Sequence, residues 1–223
     1  MCWRRESLLA GLALVCGCQS APPPAPPPVV PPAPVVAVVP APDTVWTADA
    51  GVVLRTEGAE IQLSRPFMRL DVIGADSVAL LVRCAACPDT ARGWVRRDRV
   101  IHETTEADSV GSLDVARFAL MVRRAAAQHD IIALRPVMTT DFSFSALGSY
   151  GRDQALSSWI SEDFRTLDRV PPLLDAGLTL LNGWWVAPPA FASTVGYRGL
   201  RLGFRKNAAG RWEWGYLVQG ERP

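Results

Sequence analysis

Leu200-Arg201-Leu202-Gly203-Phe204-Arg205-Lys206-Asn207-Ala208-Ala209-Gly210-Arg211-Trp212-Glu213-Trp214-Gly215-Tyr216-Leu217-Val218 holds the strongest hairpin signal in the chain. Tyr197–Lys206 and Arg211–Val218 both alternate apolar and polar residues, the period of a half-buried strand. Leu200, Leu202 and Phe204 share one face of the first strand; Trp212, Trp214, Tyr216 and Val218 share one face of the second. Asn207-Ala208-Ala209-Gly210 fits a type I turn with a glycine bulge, pairing Asn207 with Arg211. That register predicts Phe204 opposite Trp214, Leu202 opposite Tyr216 and Leu200 opposite Val218.

Upstream of the hairpin the period changes to helical. Leu113, Ala116, Leu120 and Ala127 recur at helix spacing, with Ser112 as the predicted N-cap. Asp130 is placed to cap a short second helix ending near Pro136, and Phe142-Ser143-Phe144 alternates as a strand. Arg152–Ile160 reads as a helix; Phe164–Ala176 reads as further turns broken at Pro171-Pro172 and ended at Gly177. Helices followed by mostly antiparallel strands predict an α+β domain over residues 112–223. The opening helices, Asp141-Phe142-Ser143-Phe144 and the hairpin together resemble the cystatin-like cone of nuclear transport factor 2-like domains. Tyr197-Arg198, Phe204, Gly210, Trp212 and Trp214 also resemble the C-terminal end of a group of bacterial envelope proteins.

Residues 104–111, rich in Thr, Glu, Asp and Ser, read as a linker. Before it, residues 43–103 hold six or so short β-rich segments divided by Asp49, Gly58, Pro66, Gly74 and Pro88-Asp89, a pattern of a compact all-β barrel. Gly51-Val52-Val53-Leu54-Arg55, Leu70-Asp71-Val72-Ile73-Gly74 and Gly93-Trp94-Val95 resemble the strands of bacterial SH3-like domains. Arg65-Pro66-Phe67 stands where that family usually has a glycine. The resemblance implies a two-domain protein, a small SH3-like barrel followed by the α+β domain, with the barrel as a binding module of the cell envelope. Trp46 and Trp94 are the candidate ligand surface; the alternative for Trp94 is packing inside the barrel.

Cys84-Ala85-Ala86-Cys87 admits three readings. A redox pair needs a helix N-terminus, which Pro88 opposes. A zinc site needs further ligands, and His102 and His129 are the only histidines. A disulfide across a turn fits the Cα separation such a bond needs and is the favoured reading in an oxidising compartment.

The N-terminus reads as an address. Arg4 and Arg5 precede an apolar run, Leu8–Val15, too short to span a bilayer. Val15-Cys16-Gly17-Cys18 resembles the lipobox of bacterial lipoproteins, which implies removal of residues 1–17, a lipid on Cys18, and attachment to a membrane through that anchor. Gln19 after the cysteine resembles the signal for the outer membrane, facing the periplasm. Residues 18–42 follow as a stalk: 11 of the chain's 19 prolines fall between Ala21 and Pro42. Such a tract is confined to polyproline II and reaches up to ~70 Å.

Removing residues 1–17 leaves equal numbers of acidic and basic residues, a balance that argues against a nucleic-acid partner. No phosphate loop, Gly-x-Ser-x-Gly, His-Glu-x-x-His or dinucleotide fingerprint occurs, so no catalytic residue, metal or cofactor is expected. The expected function is non-catalytic binding of peptidoglycan or an envelope protein. The alternative is a small-molecule or enzymatic pocket in the second domain, built from Asp141, Trp159, Trp184 and Trp185.

Overall fold

A computed structural model describes residues 42–103, 114–145, 148 and 150–220. The signal peptide, Cys18, the stalk up to residue 41, the linker and Ser112 lie outside the described residues. What is described is a mixed α+β protein, rich in sheet.

The first sheet uses β1 (Thr44–Thr47), β2 (Val52–Arg55), β3 (Glu60–Leu63), β4 (Arg69–Ala75), β5 (Ala79–Arg83), β6 (Arg92–Arg96) and β7 (Val100–Ile101) in the order β3-β2-β6-β5-β4-β1-β7. Alternation sets its two faces. Val52, Leu54, Leu70, Leu80, Val82 and Val95 bury one side in a common cluster, while Val53 and Trp94 point the other way. The predicted closed barrel is corrected here. β3 pairs with β2 alone and β7 with β1 alone, so the sheet stays open at both edges.

Part of its other face is covered not by closure but by the rest of the chain. Trp46, Phe67 and Ile101 join the same core cluster as the helices. Phe67 takes a positive φ of 60°, the backbone normally left to glycine, and stacks on Trp46 at 5.7 Å. The described residues fall in a single compact unit, in which the first sheet keeps a cluster of its own and also contributes Trp46, Phe67 and Ile101 to the core of the helices.

The second layer consists of α1 (Val115–Ala127), α2 (Ile131–Leu134), α3 (Arg152–Ser161) and α4 (Val170–Asp175). Asp114, not Ser112, caps α1, accepting from the Arg117 N–H at 2.8 Å. Asp130 caps α2 through the Ala133 N–H at 3.0 Å. Pro171-Pro172 open α4 instead of breaking it, since first-turn N–H groups have no helical acceptor to lose.

These helices pack on one face of a five-stranded sheet of β8 (Met138–Ser143), β9 (Thr179–Leu181), β10 (Trp184–Ala187), β11 (Leu200–Lys206) and β12 (Trp212–Gln219), ordered β8-β12-β11-β10-β9. It is mixed, because β8 runs parallel to β12. Asn182 and Gly183, both at positive φ, close the β9–β10 hairpin. A short helix, α5 (Ala190–Ser193), follows β10.

The closing hairpin has the predicted turn. The Asn207 N–H bonds the Arg211 carbonyl at 2.8 Å, and Gly210 takes φ +75°. Phe204 opposes Trp214 as predicted. Beyond that pair the register shifts: Gly203 opposes Tyr216, Leu202 opposes Leu217 and Arg201 opposes Val218. Gly215 is the extra residue of a bulge, and it corrects the predicted partners of Leu202 and Leu200. Trp214 and Leu217 face the helices, whereas Tyr216 and Val218 face the opposite side.

Candidate functional site

Two surfaces carry the candidate residues. The first lies on the outer face of the first sheet. Val95 faces inward, so Trp94 beside it faces out and is 39% exposed. It lines a groove of about 620 Å³ with Val53, Val78, Arg55 and Arg96. Arg96 is held by Asp98 through two hydrogen bonds of 3.0 and 2.6 Å. The same contact from Arg96 holds the Asp98 carboxyl below its ordinary range. Arg55 pairs with Glu60 at 3.1 Å. The groove is therefore an apolar strip with its charges already matched.

Trp46 does not belong to that surface. It is 1% exposed, its indole N–H donates to Asp175 Oδ1 at 2.9 Å, and the Arg123 guanidinium lies 4.6 Å above its ring. The correction has a simple cause: β1 turns that side chain toward α1 and α4, where its ring is the bridge between the two sheets' cores.

The second surface is the outer face of the second sheet, the side away from α1, α3 and α4. A cavity of about 390 Å³ there is lined by Asp141, Ser143, Tyr150, Trp184, Arg205 and Tyr216, among others. Of the four predicted pocket residues, the structure brings Asp141 and Trp184 together in it. Trp159 and Trp185 lie on the helix side. Trp159 is 2% exposed and stacks on Trp214 at 5.7 Å, and Trp185 packs on the same core. Period-two alternation separates Trp184 from Trp185, while Trp159 is turned into the core by α3.

Sequence reasoning missed Ser143, Arg205 and Tyr216. Arg205 was legible as the strand neighbour facing opposite Phe204. Tyr216 was not, because only the bulge at Gly215 brings it to this side. A side chain on Gly215 would collide with the Trp184 ring, so the bare residue also makes room for the indole.

Burial pushes the Tyr216 phenol up to about 12, against a smaller pull from the nearby Arg201. The fold thus holds this phenol protonated. Below pH 10 both states keep the proton; between pH 10 and 12 the unfolded chain releases it and the folded one does not. Stability is expected to fall by about 2–3 kcal/mol across that window from this group alone. Urea unfolding of the wild type against Tyr216→Phe checks it: the variant should lack that increment, and identical alkaline slopes would refute it.

Arg201 itself is fully buried, donating one hydrogen bond from Nη1 to the Gly220 carbonyl and lying 5.0 Å from the Phe191 ring. Burial lowers its proton affinity. Cys84 and Cys87 are joined as a disulfide with Cα atoms 5.4 Å apart, at the end of β5. Asp153, at the start of α3, is taken up by Arg135 at 2.9 Å. Among the described residues no cluster of three or more His, Cys, Asp or Glu could hold a metal. No described helix is long and apolar enough to cross a membrane.

No protein-family model matches the chain, and no curated protein matches it. Among solved structures it is similar to a provisionally named ketosteroid isomerase of Shewanella frigidimarina NCIMB 400, at 12% identity and a TM-score of 0.27, over 50% of this chain and 94% of that one.

Proposed function

We propose that the chain is a non-catalytic lipoprotein of the bacterial envelope, tethered through Cys18 and a proline stalk at the outer membrane and facing the periplasm. In this reading the first sheet is an open SH3-like binding module. The helices and second sheet form a nuclear transport factor 2-like partner that shares its core. The ligand is peptidoglycan or an envelope protein.

The observation that carries the reading is Trp94: a large aromatic left 39% exposed in a groove between Val53 and Val78. Aromatic anchors of this kind dominate recognition surfaces. The lipobox resemblance, the stalk and the SH3-like strand motifs support the location and the module.

The mature protein is expected to co-sediment with peptidoglycan sacculi. Trp94→Ala should weaken that by about tenfold or more, the scale of losing one aromatic anchor. Sedimentation unchanged in Trp94→Ala would remove the wall as the ligand of this groove. A photoreactive group at position 94 in living cells then reports protein partners.

A further inference from the structure

The cavity on the outer face of the second sheet is a different place with a different chemistry. Arg205 on β11 and Asp141 on β8 both line it. β12 runs between them, so their backbones are about two strand spacings apart, roughly 10 Å. Neither side chain has an ion-pair partner among the described residues. The carboxylate of Glu213, across from Arg205, accepts instead from the Asn207 amide at 2.7 Å. Arg205 is kept in place all the same, its guanidinium resting 4.6 Å over the Trp184 ring.

The floor between these charges is built for polar contact. Ser143 is 7% exposed, lines the cavity, and its Oγ has no hydrogen-bond partner. A buried hydroxyl left unpaired costs free energy that a ligand hydrogen bond would recover. Tyr216 lines the cavity beside it, its phenol kept in the donor form. Val186, Leu181 and Phe191 supply an apolar wall.

We propose that this cavity binds a free α-amino acid with an apolar side chain. The ligand carboxylate meets Arg205, its ammonium group meets Asp141, and its side chain lies against Val186, Leu181 and Phe191. A lone anion would be repelled by Asp141 and a lone amine by Arg205; a zwitterion satisfies both. A stacked sugar ring fits less well, because Arg205 and Tyr216 already cover the indole of Trp184. The cavity, at about 390 Å³, is at the small end for ligand sites, which suits a single amino acid.

The test is calorimetric titration of the whole mature protein with racemic leucine, leucinamide, which lacks the carboxylate, and N-acetylleucine, which lacks the ammonium group. Leucine is expected to bind, and each derivative to bind at least about tenfold more weakly, the loss expected of one charge-assisted contact. Arg205→Gln should erase the discrimination against leucinamide, and Asp141→Asn that against N-acetylleucine. Both side chains are exposed, so the folded state should survive, with circular dichroism as the control. No saturable binding of leucine by about 10 mM, weaker than any specific site, would overturn the proposal. So would binding that neither substitution changes. Sedimentation with sacculi depends on Trp94 instead, so the two readings fail separately.

Discussion

Asp175→Ala is expected to destabilise the protein by roughly 3–5 kcal/mol, the scale of removing one partner from a buried ion pair. Asp175 ends α4 with its side chain only 13% exposed. Its carboxylate accepts from the Trp46 indole at 2.9 Å and from Arg123 Nε and Nη2 at 2.8 and 3.2 Å, with Arg69 Nη1 3.5 Å away. Truncation leaves the Arg123 side chain, 14% exposed, with the exposed Glu103 at 2.8 Å as its remaining ion-pair partner, and strands a buried indole N–H. These are the groups that join the first sheet to the helices, so the loss should appear as a cooperative drop. At this chain length the melting temperature should fall by about 10 °C. If thermal unfolding instead shows one half melting early and the other unchanged, the shared core is not what couples them. Asp175→Asn should recover part of the loss by keeping the acceptor for Trp46.

Trp214→Ala is expected to cost a similar 3–5 kcal/mol, the scale of emptying a large aromatic site in a core. Trp214 is fully buried between Phe142, at 5.1 Å, and Trp159, at 5.7 Å. Its indole N–H also donates to the Tyr216 carbonyl at 2.8 Å, spanning the bulge at Gly215. The substitution should therefore do more than open a cavity. With the bulge unpinned, Tyr216 loses its fixed place, and its phenol should titrate nearer the ordinary value of about 10. Denaturant unfolding measures the first effect and ultraviolet titration of tyrosine the second. Trp94→Ala is the comparison: an exposed residue whose removal should change stability by no more than about 0.5 kcal/mol. Equal losses from Trp94→Ala and Trp214→Ala would refute this division between core and surface.

The element boundaries were largely legible. Local chemistry sets them: Gly and Asn at positive φ close the hairpins, Asp130 caps α2, and alternation marks β2, β6 and β11. Trp94 was left between a ligand surface and the barrel interior by the sequence; the buried Val95 beside it shows which face it takes. Ser112 was displaced as a cap by Asp114, an equally good capping residue two positions on. Nothing local distinguishes the two. The Asn182-Gly183 pair was a readable turn signal, and it fixes Trp184 and Trp185 on opposite sides of the sheet.

By itself the sequence determined most of the helices and strands, the turn at Asn207–Gly210 and the pairing of Phe204 with Trp214, because each depends on residues near one another, although the strand read at Phe142–Phe144 proved to be β8, Met138–Ser143. Only the tertiary structure decided that the first sheet stays open, since Trp46, Phe67 and Ile101 pack into the core of the helices, with Trp46 bonded to Asp175, 129 positions away. It also decided which face Tyr216 occupies. A bulge of one residue reverses every side chain beyond it, and whether Gly215 bulges depends on Trp184 lying over it and Trp214 pinned beneath the helices.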